Sequence, residues 1–125
     1  MANVTAYVGI VDDDAAVRLA LRRLLQIAGY EAATFESGAE LLAECAERLP
    51  DCLILDVHLT GPSGFEVLSR LRAEGFDPPV VFISAAEDAG LELRAREAGG
   101  VRLLRKPFGS QALLEAIDAA LVHST

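Results

Sequence analysis

Short apolar runs alternate along the chain with longer stretches in which apolar residues recur at the spacing of a helix. The apolar runs predict five strands, at 6–11, 31–35, 52–56, 80–84 and 101–105. The stretches between and after them predict helices at 14–28, after Ser37, after Ser63, at 87–98 and at 110–122. Because strands and helices alternate strictly, we expect an α/β domain with a parallel sheet, right-handed crossovers and helices on both faces.

Serine residues mark the beginning of two helices. Ser37 is followed three residues later by Glu40. Ser63 is followed by Glu66 at the same spacing, and both pairs predict a capping box. The side chains expected to face the core are Leu42, Cys45, Ala46 and Leu49 in the second helix, Val67, Leu68 and Leu71 in the third, and Leu113, Leu114, Ile117 and Leu121 in the last.

The composition of the strands indicates their order in the sheet. The first, third and fourth runs are almost purely apolar, as central parallel strands must be, whereas EAATF and VRLLR carry polar residues that suit edges. The doubly wound order 2-1-3-4-5 satisfies both requirements. In that order the switch point lies between strands one and three, and open α/β sheets bind ligands there, at the carboxyl ends of the strands.

Composition narrows the classes of function. The 125 residues fit one domain, and 52% hydrophobic residues support a buried core. With 19 acidic and 11 basic residues the net charge is −8, which disfavours direct binding of nucleic acid. Cys45 and Cys52 suit neither a disulfide framework nor a zinc site, which favours the reducing cytoplasm. No apolar run is long enough to predict a membrane span.

Polar residues stand at the carboxyl ends of four predicted strands. Asp12 and Asp13 follow the first strand, Asp56 ends the third, Ser84 ends the fourth and Lys106 follows the fifth. Three gathered carboxylates need a cation between them, and an all-oxygen site with several waters suits Mg²⁺. With a lysine and a hydroxyl nearby, this arrangement predicts a site for a phosphoryl group in which one aspartate is the nucleophile.

Each of these residues alone has a simpler interpretation. An aspartate after the first strand suits a helix cap, and Asp56 suits an ordinary loop. Ser84 suits a helix entry and Lys106 a surface position. Pro107 directly after Lys106 predicts a tight junction, with a cis bond as one option, that turns the lysine inward. Only the joint placement of these groups favours the phosphoryl site.

The segments VGIVDDDAAVR, CLILDVHLTGPSG, VVFISA and LLRKPF resemble the receiver domain of bacterial two-component response regulators, over residues 7–121. The resemblance implies a flavodoxin-like (βα)5 fold. It is nearest to the nitrogen-fixation type, whose receivers precede a LuxR-like helix-turn-helix domain. We therefore expect residues 1–125 to form a single receiver domain, with no output domain in this sequence.

The resemblance also implies a role for each residue of the predicted site. Asp56 corresponds to the phosphoacceptor. Asp12, Asp13, Asp56 and the backbone carbonyl of His58 correspond to the Mg²⁺ ligands. Ser84 and Lys106 correspond to the hydroxyl and the ammonium that contact the phosphoryl group.

Three positions depart from the family pattern. Leu103 replaces the aromatic residue that often moves with the hydroxyl, so we expect the switch to work without a rotating aromatic ring. Leu103 and Pro107 are both expected to be associated with the switch. Thr60 stands where the family has proline. Ala86 offers no hydrogen bond to the hydrolytic water, which leaves His58 as the candidate that assists dephosphorylation.

Three alternatives compete with a phosphorylated receiver. LILDVHLT partly matches a phosphohydrolase of the haloacid dehalogenase kind, but His58 replaces the second acid of that motif and the strand is the third, not the first. A degenerate, phosphorylation-independent receiver would lack an acid, the hydroxyl or the lysine, and none is missing. A flavin-binding domain would need a phosphate loop where Asp12 and Asp13 stand.

The expected partners follow from the resemblance. A sensor histidine kinase or a phosphotransfer protein would donate the phosphoryl group. The fourth helix, fifth strand and fifth helix would contact a downstream protein, a fused output domain or a second copy in a homodimer. The domain would not be an enzyme in its own right, although it would take phosphate from small donors and dephosphorylate itself.

Overall fold

Strands and helices alternate along the whole described chain, as the sequence predicts. The computed structural model describes residues 5–85 and 90–123. The strands are β1 Tyr7–Val11, β2 Glu31–Phe35, β3 Cys52–Asp56, β4 Val80–Ser84 and β5 Arg102–Arg105. The helices are α1 Ala15–Ile27, α2 Gly38–Glu47, α3 Gly64–Ala73, α4 Leu91–Glu97 and α5 Ser110–His123. The predicted start of the fourth helix, at residue 87, lies outside the described residues.

The five strands form one parallel sheet in the order β2-β1-β3-β4-β5, which confirms the prediction. Val11 of β1 lies opposite Leu55 of β3, and Asp56 lies opposite Ile83 of β4. The carboxyl ends of β1, β3 and β4 therefore lie side by side at one edge of the sheet, which we call the carboxyl edge.

Two apolar layers hold the sheet in place. Leu53, Leu55 and Phe82 pack with α2, α3 and α4 on one face, whereas Ile10 and Ile54 pack with α1 and α5 on the other. Full burial of one such side chain contributes about 1.5–3 kcal/mol, so both layers stabilise the central strands strongly. The central strands end at the carboxyl edge, and their burial fixes the positions of the residues that follow them.

The predicted edge strands are the least buried ones. All residues of β1, β3 and β4 are buried. By contrast, Arg102 and Arg105 of β5 are exposed and Glu31 of β2 is exposed. The polar residues that assigned these strands to the edges are thus the ones that face solvent.

The predicted buried face of α2 is confirmed at Cys45 and wrong at Ala46. Leu41 and Cys45 are buried, while Ala46 is exposed. The helix turns this face inward because Gly38 packs directly against Val67 of α3, where a side chain would overlap the valine. A tertiary contact, which the helical spacing does not reveal, therefore sets the rotation of α2.

Leu49 and Leu42 also depart from the prediction. Leu49 is 41% exposed and lies beyond the helix, which ends at Glu47. The chain is already extended at Arg48. Pro50 disfavours helical geometry at Leu49, the residue directly before it. Leu42 is only half-buried against the core.

The remaining helices follow the prediction more closely. In α3, Val67, Leu68 and Leu71 are buried, and Ser63 and Glu66 form the predicted capping box. In α5, Leu113 and Ile117 are buried, but Ala116 and Ala120 take the other two buried positions, and Leu114 and Leu121 are half-buried. The described helices include none that is long and apolar enough to span a membrane.

Candidate functional site

The carboxyl edge brings together the polar groups that the sequence singled out. Asp12 directly follows β1 and is fully buried, and Asp56 ends β3 and is 5% exposed. Ser84 ends β4 and is also fully buried. Lys106 directly follows β5, and its backbone N–H donates to the carbonyl oxygen of Ser84 at 2.8 Å. The described structure therefore places four of the predicted residues at the ends of adjacent strands.

Three carboxylates converge between β1 and β3. One oxygen from each of Asp12, Asp13 and Asp56 lies within 4.8 Å of the other two. An octahedral Mg²⁺ with oxygen ligands at about 2.1 Å separates opposite ligands by about 4.2 Å. Adjacent ligands of such an ion are only about 3.0 Å apart, so the three oxygens, which lie within 4.8 Å of one another, would move closer together on sharing one ion.

The residue that caps the N-terminus of α1 is Asp14. Its Oδ1 accepts a hydrogen bond from the N–H of Ala16 at 2.9 Å, at the beginning of α1. Asp12 in turn accepts one from the N–H of Asp14, through Oδ1 at 2.9 Å. Since Asp14 meets the need of the helix, capping does not account for Asp13 or for the buried carboxylate of Asp12.

Lys106 lies between the two buried carboxylates. Its Nζ is 2.8 Å from Oδ2 of Asp12 and 3.4 Å from Oδ2 of Asp56. Burial alone would lower the pKa of Lys106, but the bonds and charges of the two aspartates outweigh it and raise that pKa above its usual value. The bond to Pro107 is cis, which was one option for the predicted tight junction.

Asp56 is held by its own loop as well as by Lys106. The backbone N–H of His58 donates to Oδ1 of Asp56 at 3.0 Å. Burial, with a smaller contribution from the charge of Asp12, raises the pKa of Asp56 despite the opposing effects of this N–H and of Lys106. One ammonium thus does not compensate the carboxylates around it, and the chemistry of this donor set fits a divalent cation.

Asp13 is positioned by a residue for which the sequence predicted no role in the site. Its Oδ2 accepts two hydrogen bonds from Thr60, one from Oγ1 at 2.7 Å and one from the backbone N–H at 3.1 Å. The hydroxyl bond is the main reason why the pKa of Asp13 is lowered. The only indication in the sequence that Thr60 is unusual was its position, where the family that the sequence resembles usually has proline.

Gly64 allows α3 to begin directly beside the candidate acceptor. A Cβ at Gly64 would overlap the carbonyl oxygen of Asp56, and the N–H of Gly64 donates to the carbonyl of Val57 at 2.9 Å. A residue without a side chain is required at this close approach. The loop after β3 is therefore attached at both ends, to Asp56 through His58 and to Val57 through Gly64.

The remaining predicted residues are not part of the carboxylate cluster that the structure describes. Leu103 is half-buried and packs against the apolar layer that contains Phe82. The side chain of His58 is exposed, so its N–H rather than its ring contacts Asp56. Ala86 lies outside the described residues.

Known proteins share both the sequence pattern and this fold. The chain matches the family model of the response regulator receiver domain over residues 8–118. A response regulator receiver protein from Burkholderia phymatum is 42% identical, with a TM-score of 0.84, and the match covers 94% of this chain and 96% of that chain. The chemotaxis protein CheY4 from Vibrio cholerae is 28% identical, with a TM-score of 0.87, and the match covers 94% and 100%.

Curated relatives extend beyond the matched region. Nodulation protein W from Bradyrhizobium diazoefficiens is 36% identical over 119 residues, which are 95% of this chain and 52% of that protein. The response regulator MprA from Mycobacterium leprae is 39% identical over 111 residues, which are 89% and 49%. The chain spans about half the length of these curated relatives. It belongs to the response regulator receiver domain family and is a signalling domain of two-component systems.

Proposed function

We propose that phosphorylation of Asp56 switches this domain and that Mg²⁺ supports the reaction. The observation that carries the proposal is the position of Asp56, a buried carboxylate that shares one cluster with Asp12 and Asp13 and lies 3.4 Å from the ammonium of Lys106. The ammonium of Lys106, together with a Mg²⁺ held by the three acids, would offset the charge of a dianionic group transferred to Asp56.

The transfer is a displacement at phosphorus. A carboxylate oxygen of Asp56 forms a bond to phosphorus while the bond from phosphorus to the imidazole nitrogen of the kinase's phosphohistidine breaks. The imidazole keeps the electron pair and takes a proton, and Asp56 becomes an acyl phosphate. Mg²⁺, when bound, offsets the negative charge of the acids and of the phosphoryl oxygens.

The residues of the site divide this work. Asp12, Asp13, Asp56 and the carbonyl of His58 would hold Mg²⁺. The side chain of Lys106 is protonated and positively charged at neutral pH, because the aspartates raise its pKa by more than burial lowers it. Lys106 would therefore pair with the phosphoryl group, and the hydroxyl of Ser84 would donate a hydrogen bond to it.

A protein surface would transmit the switch. The edge strand β5 pairs with β4, and its Leu103 packs against the same apolar layer as α4. The backbone just after β5 is joined to the site through the bond from Lys106 to Ser84. We propose that α4, β5 and α5 contact a downstream protein, a fused output domain or a second copy. The donor would be a histidine kinase or a phosphotransfer protein in the cytoplasm, where the two free cysteines remain reduced.

The contacts favour this function over the alternatives. A phosphohydrolase would need an acid at position 58 to protonate a leaving group, but the exposed ring of His58 has no described contact with Asp56. A degenerate receiver is disfavoured because Asp12, Asp56 and Lys106 form an intact, connected cluster.

Intact mass spectrometry after incubation with acetyl phosphate tests the proposal. We expect an adduct of about 80 Da, the mass of an added PO₃ unit, with Mg²⁺ and none after chelation. Asp56→Asn should abolish the adduct. Asp77→Asn is the matched control, because Asp77 is exposed and precedes β4 at the opposite edge of the sheet, and it should keep the adduct. A full adduct in Asp56→Asn would contradict the proposal.

A further inference from the structure

We infer that Thr60 is a positioning residue that raises the affinity of this site for Mg²⁺ by holding the carboxylate of Asp13. The inference rests on the proposed magnesium site and adds a residue that does not itself contact the ion. Thr60 reaches Asp13 from the loop after β3, 47 residues further along the chain.

The two hydrogen bonds from Thr60 fall on the same oxygen. Oγ1 at 2.7 Å and the backbone N–H at 3.1 Å both donate to Oδ2 of Asp13. A carboxylate oxygen has two acceptor positions, so these bonds occupy Oδ2 and leave the acceptor positions of Oδ1 for a metal ion. Thr60 thereby fixes the rotation of the carboxylate.

Asp13 needs this support more than the other acids do. Asp12 and Asp56 are buried and also contact Lys106, whereas Asp13 is exposed. An exposed side chain without such a bond would lose its rotational freedom when it binds an ion, and that loss would weaken binding. The bonds from Thr60 order Asp13 beforehand.

Thr60 is itself well anchored. The preceding Leu59 is buried, and the loop is tied to β3 through the bond from His58 to Asp56 and through the bond from Gly64 to Val57. A rigid loop can hold Asp13 in place, whereas a loose one would move with it. Proline at position 60 would have neither the N–H nor the hydroxyl, so the two bonds depend on the residue found in this chain.

Titration of the full chain with Mg²⁺, followed by calorimetry and by backbone amide NMR, tests this role. Thr60→Val keeps the shape and the N–H but removes the hydroxyl, and we expect its affinity for Mg²⁺ to be about tenfold weaker, as is typical when a residue that orients a metal ligand is lost. Thr60→Ser restores the hydroxyl and should bind like the wild type. Thr5→Val, at an exposed position two residues before β1, is the matched control and should also bind like the wild type.

A second readout separates positioning from general damage to the fold. At saturating Mg²⁺, Thr60→Val should take phosphate from acetyl phosphate at the wild-type rate, while the Mg²⁺ concentration for half-maximal rate rises about tenfold. A lower rate that excess Mg²⁺ does not restore would overturn the inference in favour of a merely structural role.

The outcomes distinguish this inference from the proposed function. If the wild type binds Mg²⁺, Asp13→Asn weakens that binding and Thr60→Val binds as tightly as the wild type or more tightly, the inference is wrong and the magnesium site stands. If the wild type does not bind Mg²⁺, the proposed function fails, and the role of Thr60 fails with it.

Discussion

The ammonium of Lys106 lies 2.8 Å from Oδ2 of Asp12, although 94 residues separate the two in the sequence. This pair joins the end of β5 to the end of β1 across the carboxyl edge. Because Asp12 is fully buried, its carboxylate depends on the lysine for a positive charge close to it. A change in the charge around Asp56 therefore affects a lysine that is attached to β5.

Lys106→Ala should destabilise the domain and disconnect the switch. Without Mg²⁺, the free energy of unfolding should fall by about 2–3 kcal/mol, because the buried carboxylate of Asp12 loses its partner. The loss is smaller than for a fully buried pair, since the lysine is partly exposed to solvent. The variant should still bind Mg²⁺, but phosphorylation should no longer shift the amide NMR signals of α4 and α5. Urea unfolding and NMR check the two effects, and a wild-type NMR response would remove the lysine from the coupling.

Gly64→Ala should damage the site through the backbone rather than through charge. The added Cβ overlaps the carbonyl oxygen of Asp56, so α3 must move away from β3, at a cost of about 1–3 kcal/mol in unfolding free energy. Gly109→Ala is the matched control, since a Cβ there meets no atom within 4 Å. Equal stability of the two variants in urea would show that the contact between Gly64 and the backbone of Asp56 has room for a side chain.

His58→Ala should lengthen the lifetime of the phosphorylated state. The exposed imidazole follows Asp56 by two residues and is the candidate group for orienting the hydrolytic water. Loss of the acyl phosphate, measured by intact mass after removal of the donor, should be slower in the variant. Decay at the wild-type rate or faster would exclude the histidine from this step.

The two tyrosines should ionise at a higher pH than an ordinary tyrosine does. Burial and the hydrogen bond to Asp118 raise the pKa of Tyr30 to about 12, and burial with the bond to Glu44 does the same for Tyr7. A raised folded pKa means that this stabilisation is complete below the ordinary pKa of about 10 and is lost as the pH rises towards 12.

Absorbance at high pH checks this prediction, because the chain has two tyrosines and no tryptophan. The folded protein should show no tyrosinate transition near pH 10. The free energy of unfolding, measured with urea, should fall less steeply between pH 10 and pH 12 in Tyr30→Phe than in the wild type. A midpoint near pH 10 in the folded wild type would contradict the assignment.

Much of the fold was predictable from the sequence because its signals are local. Apolar runs set the strands, and the purity of those runs assigned the edges of the sheet. The rotation of α2 was not predictable, since it depends on the contact between Gly38 and Val67, which are distant in the sequence. Helical spacing alone could not distinguish Leu41 from Leu42 as the buried residue.

The acids and the lysine of the site were predictable for a similar reason. The topology of a parallel sheet gathers whatever follows its strands, so Asp12, Asp56 and Lys106 had to meet. Thr60 was not predictable as a partner of Asp13, because a threonine in a loop is compatible with many contacts. The role of Ser84 in the switch stays a prediction.

Direct mapping of the phosphorylated residue is the sharpest test of Asp56 as the phosphoacceptor. After phosphorylation with Mg²⁺, borohydride reduction converts an acyl phosphate into an alcohol, and peptide sequencing by mass spectrometry locates it. We expect reduction at Asp56 alone, and none when Mg²⁺ is chelated. Reduction at Asp12 or Asp13, or no reduced residue after incubation with the donor and Mg²⁺, would contradict this expectation.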